Sequence, residues 1–144
     1  MQGALTVRER VFCGEQGVPV EEEHDGLDGG ALHLVALAPG GVRVIGTLRL
    51  LLGGGEAKIS RVAVERDWRR QGVALRMLLL ALERAAERGC GRARLAAHIE
   101  AVDLYLRAGF AVESEPFQEA GIAHVWMGRA LDPAGQDARG PDRD

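Results

Sequence analysis

The strongest constraint on the fold lies between Lys58 and Gly89, where "KISRVAVERDWRRQGVALRMLLLALERAAERG" passes from a strand through a polar turn into a leucine-rich helix. Lys58 to Val64 is rich in β-branched residues and predicts a strand. From about Gly72 to Arg88, Leu75, Leu78, Leu79, Leu82 and Ala86 form one apolar stripe at helical spacing, and Gly89 ends the helix. Between strand and helix stand Arg69, Arg70 and Gln71. A helix N-terminus exposes backbone N–H groups without intrahelical partners and carries roughly half a positive charge, so it suits an anion. Gly72 lets a ligand approach the backbone, Ala74 keeps that approach open, and two guanidinium groups suit phosphate. The turn therefore reads as a pyrophosphate site; the competing reading is a solvated basic turn.

Around this unit the chain falls into short elements. "LTVRERVFCGEQ", Leu5 to Gln16, predicts an amphipathic helix, and the acidic, glycine-containing segment Glu21 to Gly30 a loop. "ALHLVALA" (Ala31 to Ala38) and "VRVIGTLRLLL" (Val42 to Leu52), joined by "PGG", predict an antiparallel hairpin. A strand at Ala93 to His98, a helix at about Glu100 to Arg107, and strands near Phe110 to Ser114 and Ile122 to Ala130 follow. The expected architecture is α+β, a mixed but mostly antiparallel sheet flanked by helices, in one domain over 1–131. Residues 132–144 read as a disordered tail.

Composition removes several function classes. A chain of 144 residues suits one domain with a proper core. A formal charge of −3 with 4% aromatic residues gives no nucleic-acid footprint. Cys13 and Cys90 have no C-x-x-C spacing, and no apolar N-terminal signal is present, which points to a reducing, cytoplasmic setting. The run Leu78 to Leu82 is too short to cross a bilayer, where ~20 apolar residues are needed. Neither a Walker A loop nor G-x-G-x-x-G occurs. His24, His33, His98 and His124 lack zinc-site spacing, so no metal is expected.

"VAVERDWRRQGVA" resembles the [QR]-x-x-G-x-[GA] signature of the GNAT superfamily of acyl-CoA-dependent N-acetyltransferases, matched at Arg69, Gly72 and Ala74. "YLRAGF" resembles the family's Y-x-x-x-G-F form at Tyr105, Gly109 and Phe110. "VRERVFCGEQGVPVEEEHDGLD", His33, "LAAH" and "FQEAGIAHVWM" resemble the ElaA and YjcF-like branch, so the similarity runs from Arg8 to Met127. The resemblance implies two neighbouring parallel strands that splay apart and hold the pantetheine of acetyl-CoA. Val62, Ala63 and Val64 would line one wall and Ala93 to His98 the other. Backbone N–H groups of Gln71, Gly72, Val73 and Ala74 would hold the pyrophosphate, with Arg69 and Arg70 alongside. Two departures stand out. The family's first strand, ahead of the helix starting near Leu5, is missing, and the exposed edge this leaves points to a homodimer. Many relatives carry a glutamate where this chain has Ser60, Arg61 and Val62.

Acetyl transfer to an amine needs an uncharged nucleophile, an oxyanion stabiliser and a proton donor for the thiolate. Tyr105, the only tyrosine, reads as that donor or as a core aromatic. The resemblance implies the Val64 N–H as oxyanion donor. His33 and His124 read as bases or as hydrogen-bonded structural histidines. Glu15 reads as a contact for a cationic acceptor or as a cap, and Glu21 to Glu23 as a solvated loop or a lid. The leading function is acetyl transfer from acetyl-CoA to the amine of a small molecule or peptide. A non-catalytic acyl-CoA-binding module and an interaction domain are the alternatives.

Overall fold

The structure, a computed structural model, describes residues 8–13, 18–25, 31–40 and 43–132. They fall in two compact units: a first within Met1–Leu51 and Ile59–Ala81, and a second within Leu52–Lys58 and Leu82–Asp144. The expected tail, from 133 onward, lies outside the described residues, as do Glu15, Gln16 and Asp28.

Strands β1 (Arg8–Cys13), β2 (Val18–Asp25), β3 (Ala31–Leu37), β4 (Val44–Gly53) and β5 (Glu56–Val64) follow one another in spatial order, and the first unit holds them except for the hairpin from Leu52 to Lys58. The pairs β1–β2, β2–β3 and β3–β4 are antiparallel. Alternation along β3 buries Leu32, Leu34 and Ala36, and β4 adds Ile45, Leu48 and Leu50. Gly46 fits closely there, since a Cβ would meet Met77 Cε at 3.0 Å and both Ala36 Cβ and the Ala63 carbonyl at 3.4 Å.

Two expectations fail in this unit. The segment expected as the first helix is extended over Arg8–Cys13, so Cys13 ends a strand. Val7, Val11 and Phe12 match a helical period, but β-branched and aromatic residues fit a pleated strand as well, and pairing with β2 decides the outcome. The acidic segment expected as a loop is β2 as far as Asp25, with His24 in it; ladders on both sides satisfy its backbone, which glutamate's weak strand preference does not prevent.

The second unit holds a parallel pair, β5 with β6 (Arg92–His98), in the register Glu56↔Arg92, Ala57↔Ala93 and Lys58↔Arg94. A parallel pair needs a long crossover, which helix α1 (Val73–Glu87) supplies. β9 (Ile122–Ala130) runs antiparallel to β6 along its whole length and also carries β7 (Ala111–Val112) and β8 (Phe117–Glu119). Helix α2 (Val102–Arg107) follows a 3-10 turn at Ile99–Ala101. Ala93, Leu95, Ala97, Val125 and Met127 face the core with Tyr105 and Phe110. Arg94, Ala96 and His98 occupy the alternate positions of β6. The turn between β4 and β5 is a two-residue hairpin, with Gly54 at φ 63° and Gly55 at φ 80°, the left-handed pair that a type I′ turn demands.

The α1 stripe needs a correction. Val73, Met77, Leu78, Leu80, Ala81, Leu82 and Ala85 are buried, whereas Leu79 is 45% exposed and Leu75 and Ala86 are only half-buried. Val73, Met77, Ala81 and Ala85 recur every four residues, Leu78 and Leu82 lie beside them, and Leu79 lies off this stripe. Leu78→Ala is therefore expected to cost about 2–5 kcal/mol and Leu79→Ala less than about 0.5 kcal/mol, read from urea midpoints at equal slope. Equal losses at both positions would contradict this assignment. No helix among the described residues is long and apolar enough to cross a membrane.

Candidate active site

The turn between β5 and α1 belongs to the first unit. A 3-10 turn at Arg66–Trp68 leads into Arg69; Arg70 then takes φ 63° and Gly72 φ 85°, left-handed values that only glycine adopts freely. Arg69 Nε donates to the Val64 carbonyl at 2.9 Å, and Gln71 Nε2 donates to the Asp67 carbonyl at 3.0 Å. Both side chains thus brace the turn. Arg70 is exposed. The α1 ladder begins with Arg76 N–H to the Gly72 carbonyl at 3.0 Å, so the N–H groups of Gly72, Val73, Ala74 and Leu75 precede it. No acidic residue stands in the first turn, and a Cβ added at Gly72 would meet only Arg76 Nε, at 4.0 Å. Free N–H groups, the helix dipole and open space coincide, which is the arrangement a phosphate requires.

Arg61, within β5, has φ 58°. A left-handed non-glycine residue inside a strand marks a bulge, and the burial phase shifts accordingly: Ala57 and Ile59 are buried, then Val62 and Val64 are half-buried while Arg61 and Ala63 are exposed. Such a conformation costs of order 1–3 kcal/mol and concentrates at functional sites. Sequence reasoning missed this bulge, although the spacing of Ala57, Ile59, Val62 and Val64 carries its signal. Thr47 Oγ1 makes a long bond, 3.5 Å, to the Arg61 carbonyl. His33 is half-buried on β3, in register with Glu23 of β2 and Arg49 of β4.

Tyr105 and His124 belong to the second unit. Tyr105 is 7% exposed and meets Phe110 edge-to-face at 6.2 Å. Its hydroxyl makes no hydrogen bond to a described residue. Burial raises its pKa above the usual phenol value, which keeps the proton on the oxygen at neutral pH. His124 is 7% exposed, and its Nδ1 lies 2.8 Å from the Ile122 carbonyl. A carbonyl only accepts, so Nδ1 carries the proton of the neutral ring and Nε2 retains its lone pair. His98 lies directly across the β6–β9 ladder, with ring centroids 4.6 Å apart. Among the described residues no cluster of three or more His, Cys, Asp or Glu side chains is arranged to hold a metal ion.

The family to which these features belong, a parallel strand pair in the second unit and a turn with left-handed Gly72 ahead of α1 in the first, is that of the acyl-CoA-dependent acyltransferases. Residues 7–131 match the model of the acetyltransferase (GNAT) domain, and the chain belongs to that family. It is 37% identical over 129 residues to YjcF of Bacillus subtilis (strain 168), described as an uncharacterised N-acetyltransferase, with 88% of this chain and 90% of that protein covered. Escherichia coli ElaA shares the fold with a TM-score of 0.61 at 21% identity, over 69% of this chain and 68% of that one. A Bacillus subtilis acetyltransferase solved in complex with CoA shares it with a TM-score of 0.59 at 21% identity, over 72% and 78%.

Proposed function

We propose that the protein transfers an acetyl group from acetyl-CoA to the uncharged amine of a small molecule or peptide, without a metal ion. The observation that carries this reading is the turn at Arg69–Ala74, where left-handed Gly72 presents unpaired N–H groups to open space. In this reading Gln71, Gly72, Val73 and Ala74 hold the pyrophosphate through their N–H groups, Arg70 adds charge, and Arg69 holds the turn to the end of β5. Val62, Ala63 and Val64 receive the pantetheine, and the Val64 N–H receives the developing oxyanion. The amine nitrogen bonds to the thioester carbon, the C–S bond breaks, and Tyr105 gives its proton to the departing thiolate. His124 Nε2 takes the proton that the amine releases, a role its fixed tautomer allows. His33 is the second candidate for that role.

Incubation with acetyl-CoA and a panel of amines, followed by detection of free thiol, tests the transfer. Silence across a broad amine panel, with CoA binding intact, would oppose it. Thermal unfolding tests the binding half: free CoA should raise Tm, and 3′-dephospho-CoA should retain much of the rise because the pyrophosphate carries most of the affinity. Loss of the rise with the dephospho form would move the anchor away from the turn.

A further inference from the structure

The face of β6 and β9 opposite Leu95 and Met127 carries a continuous run of rings and cations, all in the second unit. The Arg94 guanidinium lies 4.4 Å from the Trp126 ring centroid and Lys58 Nζ lies 5.7 Å from it. Phe117 stacks on Trp126 at 5.7 Å and on His124 at 5.9 Å, with interplanar angles of 25° and 24°. The ladder registers align these groups: Lys58 opposes Arg94, Phe117 opposes His124, and Trp126 opposes Ala96. Two carboxylates near this face are engaged by one cation, since Arg92 pairs with Glu113 and lies 3.7 Å from Glu56. Among the described residues Lys58 and Arg94 have no carboxylate partner, in a chain whose formal charge is −3.

Two cations without a carboxylate partner among the described residues, set over a half-buried ring in an acidic protein, are complementary to an anion with an apolar body. A cation on a ring face keeps N–H donors for a carboxylate. We propose that this face recognises the acceptor by a carboxylate: the carboxylate meets Arg94 and Lys58, the apolar body lies along Trp126 and Phe117, and the amine reaches His124. The inference rests on the acetyl-transfer reading and narrows its acceptor to an amino acid-like amine. Trp126 and His124 are two positions apart on β9, with Val125 between them, so amine and carboxylate should stand roughly 7 Å apart.

Calorimetry with 4-(aminomethyl)benzoate, benzylamine and 4-(aminomethyl)benzamide tests the proposal on the intact chain. The carboxylate should bind at least about tenfold tighter than either neutral-tailed amine, as expected for loss of one charge-assisted bond. Arg94→Gln should erase that preference, and Lys58→Gln, at an exposed position, repeats the test if Arg94→Gln does not fold. Equal binding of the three amines, binding of none, or a preference that survives in both variants would overturn the assignment. Thiol release separates the two readings. A carboxylate preference in binding with no thiol released would defeat acetyl transfer and leave the recognition face standing. Release as fast with benzylamine as with 4-(aminomethyl)benzoate would defeat the face and leave transfer standing.

Discussion

Gly72→Glu should lose CoA binding altogether, with no rise in Tm at CoA concentrations that stabilise the unmodified protein. Two effects combine in this variant. Gly72 has φ 85°, where an L side chain is strained by about 1–2 kcal/mol, and the space beyond its Cα is the open space a phosphate must enter. A carboxylate placed there repels the pyrophosphate and can itself accept the N–H bonds of the first α1 turn, acting as an internal competitor. Gly72→Ala separates the contributions, because it carries the same φ penalty without the charge. It should be destabilised by about as much as Gly72→Glu and still respond to CoA. A Gly72→Glu protein that unfolds cooperatively and binds CoA normally would remove the turn from the site.

That the turn could be read from sequence at all follows from its locality. Strand, turn and helix are consecutive, and Arg69, Gly72, Ala74 and Gly89 act through their own backbone or a neighbour within a few residues. Where the decisive partner was distant, reading failed. Arg8–Cys13 satisfies a helical and an extended pattern equally, and only pairing with Val18–Asp25 chooses between them. β8 is three residues long, too short for any period, and exists because β9 offers it a ladder. Leu79 sits in a run of consecutive leucines, within which hydrophobicity cannot rank the faces; the packing of Met77, Leu78 and Ala81 does so. His124 was legible as a candidate, but the fixed proton on its Nδ1 depends on the Ile122 carbonyl, and the run Arg94, Trp126, Phe117 depends on registers between three strands. The bulge at Arg61 is the exception. Its phase break lies open in the sequence, and alternation alone would have located it.

Tyr105→Phe should bind acetyl-CoA almost normally and transfer acetyl slowly, with turnover lower by about 10²–10⁴-fold, the usual size of a general-acid contribution. The ring is what packs: it is 7% exposed and set edge-to-face on Phe110, and phenylalanine preserves both features. The hydroxyl makes no hydrogen bond to a described residue, so its removal orphans no partner among them, and folding stability should be nearly unchanged. The pH dependence follows from the raised pKa, caused by burial. Because the folded-state value lies above the unfolded one, the neutral phenol's contribution to stability is complete below the ordinary tyrosine range of about 10 and is lost as pH rises through the raised value. The unmodified enzyme should therefore show no loss of the acid through neutral and mildly alkaline pH, and any alkaline decline from Tyr105 must disappear in the phenylalanine variant. Wild-type turnover in a folded, CoA-binding Tyr105→Phe protein would exclude the hydroxyl as the donor. A large fall in CoA affinity or stability would instead assign Tyr105 to packing alone.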